Sequence, residues 1–145
     1  GAEHWGRFHR NTSEVFEARA VNVRVEKSVS VLLEDMQGSI LPIAVAHGEG
    51  RLVATEQQIA ALNAENQVIL RYVDSLGNPT QHYPLNPNGS PEAITGLTSK
   101  DGRATVMMPH PERNFRALQH SWKPEDWAED GAWLRMFRNA RKFIG

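Results

Sequence analysis

A chain of 145 residues, 40% hydrophobic and 23% charged, has the length and composition of one globular domain rather than of a disordered or fibrous segment. With 16 basic against 17 acidic residues and a net charge of −1, it lacks the charge imbalance that marks a nucleic-acid or anionic-membrane surface. No apolar run approaches the roughly 20 residues of a membrane helix, and the absence of cysteine excludes disulfides and thiolate metal sites.

The chain opens on Gly1, and the stretch holding His4, Trp5, Arg7, Phe8, His9 and Arg10 shows no period. It reads as a segment entered part-way through a larger protein. Val15 to Val25 alternates in part (Phe16, Ala18, Ala20, Val23, Val25) and predicts a strand. Ser30 to Met36 predicts one or two helical turns, closed by Gly38. Ile40 to Ala46 is a short apolar run that predicts a buried strand. It ends at His47-Gly48-Glu49-Gly50, and Arg51 to Ala54 continues the sheet.

Thr55 caps a helix whose apolar face is Ile59, Ala60 and Leu62, with Gln58 at the third position of a capping box. Gln67 to Val73 predicts a strand. Asp74 to Asn78 is a turn through Gly77, and Thr80 to Tyr83 returns as its hairpin partner. Asn86-Pro87-Asn88-Gly89-Ser90-Pro91 is a rigid, turn-rich loop. Ala93 to Thr98 and Arg103 to Met108 pair through Lys100-Asp101-Gly102. Arg113 to Gln119 predicts a helix and Pro124 to Trp127 a turn. Ala132, Trp133, Met136, Phe137, Ala140 and Ile144 form the stripe of a final helix, with Arg141 and Lys142 at its negative end. The class is α/β or α+β, with antiparallel pairs in the second half and helix at the C-terminus.

The most informative run is Met107-Met108-Pro109-His110-Pro111-Glu112-Arg113. Pro111 biases His110 away from the helical region, so the histidine sits extended at a strand end. Glu112 can accept a hydrogen bond from one ring nitrogen and leave the other free to take a proton. The same residues also fit a strand-end histidine in a proline-rich turn, with Glu112 favourably placed at a helix start. A His/Glu pair of this kind serves a nucleophile, and no cysteine is present.

At His47-Gly48-Glu49-Gly50 the two glycines admit close approach of a ligand or a left-handed backbone; a bulge or tight turn leading into Arg51 explains them without any ligand. The six histidines, at 4, 9, 47, 82, 110 and 120, show no standard ligand spacing, so no metal site is read. Trp122, Trp127 and Trp133 belong to a core or to a surface docking another domain. Without a basic surround they do not suggest nucleic-acid stacking.

Several runs together resemble the glutaminase domain of phosphoribosylformylglycinamidine synthase, a class I (triad) glutamine amidotransferase. They are Arg10-Asn11-Thr12-Ser13, Phe16-Glu17-Ala18-Arg19, Pro42 to Gly50, Leu70 to Asp74, Asn86 to Pro91, and Met107 to Arg113. The tail, Ser121-Trp122 to Pro124-Glu125 and then Trp133 to Arg141, is similar to the C-terminus of the large single-chain form. The resemblance covers essentially the whole chain.

It implies a flavodoxin-like α/β glutaminase with a Cys-His-Glu triad, of which residues 1–145 are the C-terminal portion of a single domain. The upstream nucleophile elbow would lie before this chain. His110 would then be the general base and Glu112 the residue that orients it. His47, Gly48, Glu49 and Gly50 would line the glutamine pocket, and Asn11 and Arg19 would shape its mouth. Ammonia would pass to a synthetase domain of the same polypeptide, which would use ATP and magnesium; the chain itself would hold no cofactor. A cytoplasmic location follows from the same resemblance. The piece alone is expected to be inactive and to self-associate through exposed sheet edges. Two other readings stay open: a non-catalytic docking module, and another class I amidotransferase-like hydrolase.

Overall fold

A computed structural model describes residues 1–145. Its framework is an antiparallel pair, β2 (Glu17–Val25) against β3 (Ile40–His47), in register from Glu17 opposite His47 to Arg24 opposite Ile40. Alternation sets the two faces. Val21, Val23 and Val25 face inward with Leu41, Ile43 and Val45, while Ala18, Ala20 and Asn22 face outward. Between the strands a 3-10 turn, Val31–Leu33, leads to Gly38 at φ +81°, a left-handed conformation that glycine adopts without penalty.

The sheet runs β3-β2-β5-β6-β7, with β5 Val68–Tyr72, β6 Ile94–Thr98 and β7 Thr105–Met107. Every pairing is antiparallel. The antiparallel character expected of the second half thus extends to the first. β6 is buried along its whole length. The sheet's strands β2, β3 and β5 share a core with Leu33, Met36, Ala93 and Trp133. A smaller core joins Leu52, Leu62, Val68, Ile94 and Leu97.

The N-terminal stretch, patternless in sequence, supplies β1 (Arg7–Arg10), which pairs with β4 (Glu49–Val53) in a separate two-stranded sheet. Only Phe8 of β1 packs against a core, so no alternation marks the strand. Helix α1 (Glu56–Ala64) starts with the predicted capping box. Thr55 Oγ1 accepts from Gln58 N at 3.2 Å, and Gln58 Oε1 accepts from Thr55 N at 2.9 Å. Of its expected apolar face, Leu62 is buried, Ile59 half-buried and Ala60 exposed.

Several expectations change. Arg51 to Ala54 does not continue the main sheet, since β4 pairs with β1, and Phe137 and Ile144 of the expected final stripe are exposed. Thr80 to Tyr83 forms no strand; the return is one bridge, Val73 to Pro79, plus Thr80 N donating to Tyr72 O at 3.1 Å. Arg113 to Gln119 forms no helix. Two 3-10 turns, Pro111–Arg113 and Ala117–Gln119, stand in its place. Asn114 between them lies at φ −134°, outside the helical range, and its side chain bonds β3 instead of water.

The final helix, α2 (Leu134–Ile144), is entered through Trp133. Trp133 is fully buried and its Nε1 donates to Pro42 O at 2.8 Å. The other tail tryptophans divide: Trp127 packs edge-on against His120, with centroids 5.3 Å apart, and Trp122 is 79% exposed. Replacing a buried Trp costs about 3–5 kcal/mol in lost transfer and cavity terms. Trp133→Ala is expected to lower the unfolding free energy by about that amount, read from urea denaturation, and to free the segment after residue 110 for proteolysis.

Candidate functional site

His110 and Glu112 meet at the outer edge of β3. His110 N donates to Ala44 O at 2.8 Å, and Asn114 Oδ1 accepts from Ala44 N at 2.6 Å. Both backbone groups of Ala44 are thus held by the segment that carries the histidine. Pro111 keeps His110 extended, at φ −111° and ψ 86°. Its Nδ1 lies 2.7 Å from Glu112 Oε1. A carboxylate only accepts, so Nδ1 carries the proton, and in the neutral ring the lone pair sits on Nε2. The imidazole is 29% exposed and the carboxylate 54%. Glu112 also stands in the first turn of Pro111–Arg113, so the dyad and the turn-start role coexist.

The stretch from His47 to Gly50 connects β3 to β4. His47 is buried, and both ring nitrogens are engaged: Nδ1 with Met108 O at 3.2 Å, Nε2 with Asn88 Nδ2 at 3.3 Å. Burial pushes the imidazole's pKa down from its ordinary value, opposed by the Met108 hydrogen bond; the nearby His110 lowers it further and Glu17 raises it. Gly50 is buried against that ring. A Cβ there would lie 2.2 Å from His47 Nε2, so only glycine fits. Gly48 is half-buried with open space where a side chain would go, and Glu49 is exposed. Neither glycine takes a positive φ.

Asn11 is buried and clamps this connection. Its Oδ1 accepts from Gly50 N at 3.1 Å, and its Nδ2 donates to His47 O at 2.8 Å and Val15 O at 3.1 Å. Arg19 stands apart from the dyad. It pairs with the buried Glu17, donates to Tyr83 Oη at 2.9 Å and lies over the Tyr83 ring. The structure therefore gathers His110 with Glu112, and Asn11 with His47 to Gly50.

The residue that sequence reasoning left as a turn is Asn88. It is fully buried and touches His47, Gly50 and Tyr72 together. The density of Asn and Ser in that loop was the available signal, but turn chemistry explains the same letters. The largest cavity, about 570 Å³, lies between residues 26–37 and the end of α2, with no predicted site residue in its wall. No three His, Asp or Glu side chains converge as metal ligands would.

A family model for the CobB/CobQ-like glutamine amidotransferase domain matches residues 1–144. The chain belongs to that glutamine amidotransferase family. Among solved structures it is similar to that of PurLQS from Thermotoga maritima, at 27% identity and a TM-score of 0.68. That match covers 97% of this chain and 53% of the other, so this amidotransferase chain spans about half the length of its structural relative.

Asn11 has a measurable role whatever the reaction. Removing a partner that leaves a buried N–H unsatisfied costs about 1–3 kcal/mol. Asn11→Ala orphans the Gly50 N–H and is expected to lower stability by about that much in urea unfolding.

Proposed function

We propose that this chain is the His/Glu-bearing part of a glutaminase. It would release ammonia from glutamine for the ATP-dependent amidination of formylglycinamide ribonucleotide in purine biosynthesis, as phosphoribosylformylglycinamidine synthase does. The observation that carries the reading is the 2.7 Å His110–Glu112 contact at a partly open strand end, in a chain of the amidotransferase family.

The chemistry starts at the dyad. Glu112 fixes His110 with its proton on Nδ1. The Nε2 lone pair can then take the proton of a thiol, and the thiolate attacks the carboxamide carbon of glutamine. His110, now charged and steadied by Glu112, returns the proton to the departing nitrogen, which leaves as ammonia. The thiol must come from polypeptide outside these residues, since the chain has no cysteine. Gly48 and Glu49 are the accessible residues of the stretch assigned to glutamine, with His47, Gly50 and Asn11 buried behind them. Arg19, the other residue assigned to the pocket, stands apart from them beside Tyr83. ATP and magnesium belong to the synthetase that receives the ammonia.

General-base catalysis is worth about 10²- to 10⁴-fold. In the whole enzyme His110→Ala is expected to cut glutamine-dependent synthesis by about that factor and leave ammonia-dependent synthesis intact. Equal loss of both activities, or of neither, would sink the reading. The chain alone is expected to release no glutamate from glutamine.

Self-association through sheet edges is proposed at one place. Ala44 and Pro42 on the β3 edge are already engaged, which leaves β7, a strand of three residues, as the other edge of the five-stranded sheet. So short an edge is a weak template. Sedimentation velocity over a range of concentrations should show a weak dimer; a monomer throughout would refute the idea.

A further inference from the structure

The loop Asn86 to Pro91 is made of turn residues, yet Asn86, Asn88 and Ser90 are all buried. Asn88 has its amide orientation fixed. Its Oδ1 accepts from Ser90 N at 3.0 Å and from Ser90 Oγ at 2.8 Å. The NH₂ end therefore points the other way, where its two N–H bonds are shared among Gly50 O at 2.8 Å, Tyr72 Oη at 3.1 Å and His47 Nε2 at 3.3 Å. A proton on His47 Nε2 would set two donors against each other. On the opposite side of the ring, Met108 O can only accept from Nδ1. Both neighbours select one neutral form, with the proton on Nδ1.

The ring's far contact bears directly on the dyad. Met108 is gripped at both ends: its N–H donates to Thr95 O at 3.1 Å and its C=O accepts from His47. Two residues further along the chain is His110. We infer that Asn88 is a positioning residue for glutamine hydrolysis: it locks His47 in the Nδ1–H form, and the His47–Met108 bond sets where the strand end presents His110. This rests on the glutaminase reading above. The charged and titratable groups around His47 are Glu17, its partner across β2 and β3, and His110. Gly50 completes the device, because the ring occupies the space a side chain would fill.

Imidazole ¹⁵N spectra of the chain test the first half without any substitution. His47 should keep a pyrrole-type Nδ1 and a pyridine-type Nε2 between about pH 5.5 and 8, where a free histidine titrates. An Nε2–H form, or ordinary titration to imidazolium, overturns the inference. Asn88→Asp tests the second half in the whole enzyme. The carboxylate invites a proton onto Nε2 and converts His47 to imidazolium. A misplaced catalytic group costs about 10- to 100-fold, so glutamine-dependent kcat should fall in that range. Because the loss runs through His110, kcat should fall by more than KM for glutamine changes, and ammonia-dependent synthesis shows that the rest of the enzyme is folded. If Asn88→Asp keeps its kcat while His110→Ala loses it, the positioning role alone fails. If both variants keep it, the glutaminase reading fails while the tautomer result stands by itself.

Discussion

Ala44 turns both of its hydrogen-bonding groups to the outer edge of β3, and both are taken by one segment. The carbonyl receives the His110 N–H and the N–H reaches Asn114 Oδ1. Two residues earlier, Pro42 has no N–H to offer, and its carbonyl is taken by the Trp133 indole. Proline suits an edge strand for this reason. Three bonds thus close an edge that would otherwise invite another strand. The same three bonds fix the proline-flanked histidine and the loop that leads to α2. The dyad is local in sequence, but its place in the molecule depends on that edge.

Beneath the dyad the interior becomes polar. Glu17, His47, Asn11, Asn86, Asn88 and Ser90 are all buried, in a region where burial alone would be costly. The asparagines and the histidine all find hydrogen-bond partners, while Glu17 Oε1 has none, and the network makes the region rigid and intolerant of single changes. Asn11 takes one side of the β3–β4 connection and Asn88 the other; between them lies Gly50, bonded through N to one and through O to the other. The apolar core of β2, β3 and β5 supplies the bulk of the stability. The amide network supplies the shape at the strand ends.

Features set by neighbours in the chain were legible. The capping box needs only Thr55 and Gln58, three apart. The dyad needs only His110 and Glu112 with prolines around them, and the turn at Lys100 to Gly102 joins β6 and β7 as read. Features set by distant partners were not. β1 pairs with a strand some forty residues away and shows almost no inward face. Arg113 to Gln119 has ordinary helix formers, but Asn114 bonds to β3 and divides the stretch into two short turns. Asn88 is the sharpest case. Its neighbours spell an exposed turn, and only the packed structure reveals an amide inserted between a histidine, a tyrosine and a backbone carbonyl.

The contact between Gly50 and the His47 ring has an evolutionary corollary. A methyl at position 50 would overlap the imidazole, and a smaller residue at 47 would leave a void beside a bare glycine. Neither position can drift by itself without passing through a damaged intermediate. Across divergent sequences the two should be replaced jointly or not at all, with bulk moving from one to the other.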